Sequence, residues 1–279
     1  MKEVARESFD GIEVISYDSP LSAFAANAYL ILGKKEAILV DALLLHSEGA
    51  QLAAAIKKTG RELKYIFITH NHPDHYWGLQ PIVTEFPGAK VVASEDVAFQ
   101  IKFTCRAKVV HWKPIFEDDI PWRPVVPTAM EGSELMLEGH PLKLVDLPPA
   151  ETIYAGALYM PSIKGVFAGD LIFNKFHFYV ADVNVPESWI EAVELVKAQG
   201  PVERVYPGHG ALGDQTTLDW VIKYMRDYGK AIEPPATKEQ MMDKMRKLYP
   251  DLRMPELLCC TLGPSLSSDE FKVLKSLPG

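Results

Sequence analysis

Between residues 66 and 80 the chain reads IFITHNHPDHYWGLQ, and His70, His72, Asp74 and His75 fall within six consecutive positions. Imidazole nitrogens and carboxylate oxygens are ligands that divalent metals take in proteins. Ile66 to Thr69 are apolar or β-branched, so a buried strand is expected to end where the cluster begins. In extended backbone His70 and His72 project the same way, as two imidazoles sharing one ion must. Pro73 then forces a turn that can aim Asp74 and His75 at a second point. A lone histidine pair would carry little weight. A His-x-His-x-Asp-His run directly after a buried strand points to metal chemistry.

The elements around this run alternate. NAYLILG and EAILVDALLL, residues 27–33 and 36–45, read as paired strands joined by a charged turn. SEGAQLAAAIKKTG reads as a helix, with Ser47 as N-cap and Gly60 as its stop. LKYIFITH is a strand, GLQPIVTEFPG a helix and AKVVAS a strand again. Residues 100–130 break the pattern with Trp112, Trp122 and four prolines between Arg106 and Thr128. They are expected to form an irregular insertion, either a lid over a pocket or a packed surface loop. A second alternating run then leads through VFAGDLIF to VYPGHG, so both halves put polar residues where strands stop. Two amphipathic helices close the chain, the second opening on a Thr237–Gln240 capping box.

The sequence resembles the metallo-β-lactamase-fold hydrolases over about residues 27 to 230. The sextet carries the resemblance, and three further motifs match: Asp41 in AILVDALL, Asp170 in VFAGDLIF and His209 in VYPGHG. The resemblance implies an α/β fold of the αβ/βα type, a four-layer sandwich of two mixed sheets with helices outside. Residues 1–279 are expected to form one domain, with a C-terminal helical addition from about 235 to 279. The resemblance further implies metal ligands at His70, His72, Asp74, His75, Asp170 and His209, with Asp41 orienting the site; the Thr69 hydroxyl is expected to support it as well.

One motif departs from the family. Where a histidine usually stands in a Pro-Gly-His-Thr segment, the count back from ALYMPS falls on Glu151 in LPPAET. Glu151 is expected to be the third ligand of the first ion. A weak or empty first site, or His140 swinging in, are the competing readings. A third carboxylate makes the site one charge less positive, which lowers the acidity of a bound water. It also suits Mn²⁺ or Fe²⁺ better than three imidazoles would. Zn²⁺ is the first expectation.

Two divalent ions can hold a hydroxide between them and polarise a carbonyl or phosphoryl oxygen, so hydrolysis is the expected reaction. An ester, lactone, thioester or amide of a small molecule is the expected substrate class. The resemblance gives Asp74 the further role of handling the leaving-group proton. Two other classes stay open: a mononuclear Fe(II) oxygenase built on His70, His72 and Glu151, and a metal-binding member without turnover. Candidate substrate contacts are Asn174 and His177, just past Gly-Asp, and the insertion tryptophans Trp112 and Trp122. Trp77 and Tyr76 are expected to pack the helix start, Tyr206 to be core, and His46 and His111 to have no chemistry.

Bulk composition sets the remaining bounds. The chain has 279 residues, 48% of them hydrophobic, which is enough for a full core. The formal charge is −8 and no Lys/Arg run exceeds two, which disfavours a nucleic-acid surface. The polar start and the lack of a long apolar run predict no secretory signal and no membrane span. Cys105, Cys259 and Cys260 lack metal-type spacing and read as buried thiols of a reducing compartment, hence a cytoplasmic protein. The C-terminal helices could serve dimer contacts.

Overall fold

The computed structural model describes residues 1–233 and 236–260. The first half builds a seven-stranded mixed sheet in the order β1 to β7. Its strands are β1 (Lys2–Ser8), β2 (Glu13–Asp18), β3 (Asn27–Leu32), β4 (Glu36–Val40), β5 (Glu62–Phe67), β6 (Lys90–Ala93) and β7 (Thr128–Ala129). β1 to β4 pair antiparallel, and β4 to β7 run parallel. Parallel neighbours need crossovers, which α1 (His46–Thr59) and the pair α2 (Pro73–Tyr76) and α3 (Leu79–Glu85) supply.

The second sheet has five strands in the order β12-β11-β10-β9-β8. These are β8 (Glu134–Leu137), β9 (His140–Leu147), β10 (Ala155–Met160), β11 (Gly165–Asn174) and β12 (Arg204–Gly210). Only β11 and β12 are parallel, joined through α5 (Pro186–Lys197). α6 (Gln215–Ile232) packs beside α5, and α7 (Lys238–Leu248) follows with the expected Thr237–Gln240 capping box.

The alternation of side chains along each strand produces the layers. Val14, Ile31, Ile38, Val40 and Phe67 of one sheet meet Leu142, Leu158, Phe167 and Tyr206 of the other in a single buried cluster between the sheets. The opposite faces, through Leu30, Leu39, Ile66 and Val166, pack with Leu52, Ile56, Trp189 and Val221 of the helices. The result is the αβ/βα sandwich: helices, sheet, sheet, helices. Tyr206 is indeed core, its ring stacked on Phe167 with centroids 4.4 Å apart.

The segment from 100 to 130 differs from expectation. Most of its first half belongs to α4 (Glu95–Phe116), a 22-residue helix started by Ser94, whose hydroxyl accepts the Val97 N–H. Val97, Ala98, Ile101, Cys105 and Val109 form its buried stripe, while Phe99, Phe103 and Val110 are exposed. Pro114 falls in the last turn, where the helix ends. Irregular chain follows to β7. Ser47 does not cap α1, whose N-cap is Leu45; its hydroxyl and N–H donate to Asp119 instead. Gly60 does stop that helix, in the left-handed conformation.

The two sheets are joined at one rim by short bridges. His70 pairs with Ala155, and Ala26 with His209. The Thr69 carbonyl accepts the Gly156 N–H at 2.8 Å. The ends of β4, β5, β11 and β12 thus meet at one edge. Among the described residues no helix is long and apolar enough to cross a membrane. Cys105 is a free buried thiol. The expectation of thiol burial at Cys259 and Cys260, and the helical addition beyond 260, lie outside what the described residues cover.

Candidate metal centre

β5 delivers Thr69 and His70 to the rim, and Pro73 opens α2 at its first position, with His72 as N-cap. One turn of helix then places Asp74 and His75. The N–H of Ala42 donates to the His75 carbonyl and that of Gly78 to Leu43, which ties this turn to the loop after β4. Gly78 is required there, since a β-carbon would collide with the Ala42 carbonyl.

Seven side chains converge. His70, His72, Glu151 and Asp170 offer ligand atoms lying within 4.8 Å of one another, and so do Asp74, His75 and His209. Asp170 sits between the two groups. Its Oδ1 is 3.2 Å from His75 Nε2, and its Oδ2 is 3.2 Å from His209 Nε2 and 3.7 Å from His70 Nε2. Glu151 Oε1 is 2.7 Å from His72 Nδ1, and Oε2 is 3.7 Å from His70 Nε2. His140 opens β9 opposite Leu137 and is outside both groups.

Each imidazole has one nitrogen pinned by an acceptor, which leaves the other to face the cluster. Thr69 Oγ1 donates to Asp41 Oδ2 at 2.8 Å, so His70 Nδ1 must be the donor in its 2.9 Å contact with that hydroxyl. His75 Nδ1 lies 2.8 Å from Asp41 Oδ2, and His209 Nδ1 2.9 Å from the Phe24 carbonyl. In these three rings Nε2 faces the cluster, with that of His209 against Asp170 Oδ2. His72 is reversed: its Nε2 lies 3.0 Å from Asp182 Oδ2, and Nδ1 faces Glu151. Asp41 also accepts the Thr69 N–H at 2.9 Å and holds a left-handed backbone with φ 58°. That conformation, uncommon outside glycine, lets one carboxylate serve both Thr69 and His75.

These residues fit a metal. Buried polar atoms normally have hydrogen-bond partners. Here His70 Nε2 and Glu151 Oε2 are buried with none, and the close approaches of Glu151 Oε1 to His72 and of Asp170 Oδ1 to His75 run only between members of the two groups. Mixed imidazole and carboxylate donors are a divalent-metal set. Close approach is built in at Gly208, where a β-carbon would collide with Asp170 Oδ1.

The electrostatics follow from burial and mutual proximity. Burial opposes charge on His72, but Glu151 and then Asp182 outweigh it and push the ring up to about 10. Burial opposes charge on His75 and His209 too, and the carboxylates, led by Asp170, win at both. His70 is driven well down by burial and then by the His75 charge, against the pull of Asp170. Burial lifts Glu151 to about 7 against the pull of His72. At Asp182 the opposite holds: burial is outweighed by His72 and then Lys108, and the carboxyl falls to about 2.

A cavity of about 340 Å³ opens onto the cluster. His72, Asp74, Glu151, Asp170, Asp182 and His209 form its polar floor. Trp112 lines it, as does His111, which the sequence reading left without chemistry. The other candidate contacts lie elsewhere. Asn174 donates to the Ala211 carbonyl at 2.8 Å and borders a separate polar depression. His177 is buried against the Tyr224 hydroxyl at 3.0 Å. Trp122 is 69% exposed, its ring beneath the Lys113 ammonium at 4.6 Å. Tyr76 and Trp77 are buried in the packing at the helix start, as expected. Asp182, Lys108 and Phe24 carried no local motif that could have singled them out.

The family model described as the metallo-beta-lactamase superfamily matches residues 21–209. The chain belongs to that superfamily and is an enzyme of the hydrolase kind that its named relatives represent. It is 25% identical over 204 residues to a hydroxyacylglutathione hydrolase of Francisella tularensis subsp. novicida, covering 71% of this chain and 68% of the relative. A shorter match, 35% identical over 79 residues, is to the uncharacterized protein YobT of Bacillus subtilis; it covers 28% of this chain and only 34% of YobT. Among solved structures, a metallo-beta-lactamase from Pontibacter korlensis shares the fold with a TM-score of 0.61 at 21% identity, over 80% of this chain and 99% of that one.

Proposed function

We propose that the protein is a binuclear metal-dependent hydrolase of a small ester, lactone, thioester or amide. The observation that carries this reading is the convergence of seven imidazole and carboxylate side chains, six of them buried, in two adjacent groups whose ligand atoms face one another. His70, His72 and Glu151 would hold one ion, Asp74, His75 and His209 the other, with Asp170 between them. Zinc is the first choice, and the oxygen-rich Glu151 side tolerates Mn²⁺ or Fe²⁺. When bound, such ions supply Lewis acidity and lower the pKa of a coordinated water.

The chain's own residues divide the remaining work. Asp41 fixes the His75 ring directly and the His70 ring through Thr69, so both present Nε2. Asp74 is the most exposed of the three ligating carboxylates and borders the cavity. That position lets it hold the proton passed to the leaving group. The apolar walls exclude bulk water and receive the acyl portion. The likeness to a hydroxyacylglutathione hydrolase supports an acyl bond as the target.

A mononuclear oxygenase would use His70, His72 and Glu151 but would leave Asp74, His75 and His209 without a role, which supports the binuclear reading. A cytoplasmic setting agrees with the free buried Cys105 thiol. The deciding experiment is turnover of an ester, lactone, thioester and amide panel by metal-loaded wild type and by Asp74→Asn. Loss of hydrolysis with the circular dichroism spectrum unchanged is expected. Substantial remaining turnover would remove Asp74 from the mechanism, and inactivity of the wild type on every class would remove the hydrolase reading.

A further inference from the structure

Part of the cavity wall comes from one face of α4: Ala107, Lys108, His111 and Trp112, at helical spacing. Lys108 is the only Lys or Arg among the described residues lining it. Its ammonium donates to the Asn71 carbonyl at 2.7 Å, inside the metal-binding run itself. An ammonium has three N–H groups, so the single bond leaves two for a ligand. Burial pushes the ammonium down to about 8 against the pull of Asp182, Glu151 and Asp74, with which it shares the cavity.

Charge counting gives that position a meaning. Asp74, Glu151, Asp170 and Asp182 bring four negative charges, which two divalent cations cancel. Asp41 behind His75 adds a fifth, which Lys108 balances as the one ammonium among the described residues of a cavity otherwise walled by Phe24, Trp112, Phe173, Phe176, Met254 and Leu257. A single ammonium with N–H groups to spare beside apolar walls selects an anion with an apolar remainder.

We propose that Lys108 is a specificity-determining residue that binds an anionic group of the substrate, placed close to the scissile bond, while the aromatic wall takes the apolar part. The substrate class narrows to acyl compounds that carry a carboxylate or similar anion next to an alkyl or aryl group. This rests on the hydrolase reading for the word substrate, but the binding site itself does not depend on turnover.

The test is calorimetric binding to the zinc-loaded full chain. The probes are 3-phenylpropane-1-sulfonate, an anion that coordinates metals poorly, and the matching neutral 3-phenylpropan-1-ol. Wild type is expected to bind the sulfonate at least about tenfold more tightly than the alcohol. Lys108→Met should abolish that preference while leaving alcohol affinity within about twofold, and Lys108→Arg should retain most of it. A wild type that does not prefer the sulfonate overturns the proposal without any variant. So does a Lys108→Met that weakens both probes equally, the signature of a residue that merely holds Asn71. Lys108-dependent sulfonate binding in a protein that hydrolyses nothing would instead overturn the hydrolase reading alone.

Discussion

His72 Nε2 lies 3.0 Å from Asp182 Oδ2, which makes His72 the one imidazole of the four that turns Nδ1 rather than Nε2 toward the cluster. Asp182 comes from the chain between β11 and α5, more than a hundred residues from the ring it fixes. Tyr179 Oη donates to its other oxygen at 3.2 Å. Carboxylates behind a ligating histidine set its tautomer and raise its basicity.

Asp182→Ala should therefore weaken the ion held by His70, His72 and Glu151 by about 10- to 100-fold. The other ion should change little, since Asp182 touches none of its ligands. Chelator competition, resolving a tight and a weakened site, reads this directly. Equal weakening of both sites would assign Asp182 a general structural role.

Metal binding should release protons and should weaken as pH falls. The folded, metal-free protein holds His72 at about 10 and raises His75 and His209, so these rings hold protons more tightly than free imidazoles and an ion must displace them. Raised values of this kind make the protonated, metal-free form more persistent as pH drops, so affinity is lost toward acid. Calorimetry in two buffers of different ionisation enthalpy measures the protons released. Zinc binding with no buffer dependence would contradict the charge arrangement described here.

Gly208→Ala should damage the centre although Gly208 has no side chain to lose. Its β-carbon would strike Asp170 Oδ1, the atom nearest His75 Nε2. Displacing that carboxylate should lower the ion content and remove most activity, and overpacking of this kind costs about 1–3 kcal/mol of stability. Thermal unfolding with and without zinc separates the two effects. Wild-type metal content in the variant would show that Asp170 does not need this close approach.

Glu151→Gln should reduce occupancy at one ion only. A carboxamide keeps the shape and one oxygen but loses the charge that faces His72 and His70. Titration with zinc or manganese should show one site retained and one weakened.

Much of this centre was legible locally because most of its candidate ligands follow strand ends, where apolar runs announce the platform and polar residues stand out against it. Glu151 could be placed by counting toward a strand even though its residue type departed from the pattern. The helix α4 was harder to read. Its buried stripe has helical spacing, but exposed Phe99, Phe103 and Val110 add apolar residues to the solvent face and blur the contrast. Asp182 and Lys108 escaped for a different reason. Each acts across the sheet rim on residues distant in sequence, and nothing in its own neighbourhood marks it. Asn174 and His177 stand next to the Asp170 strand, yet adjacency in sequence did not put them in the cavity. Asn174 turns to the loop after β12, and His177 to α6.

The most direct test is the number of divalent ions per chain in the purified protein, counted by elemental analysis after growth with ample zinc, manganese and iron and located by anomalous scattering. Two ions are expected, one at His70, His72 and Glu151 and one at Asp74, His75 and His209, with Asp170 touching both. A protein that stays metal-free, or ions bound away from these seven side chains, would contradict the binuclear centre.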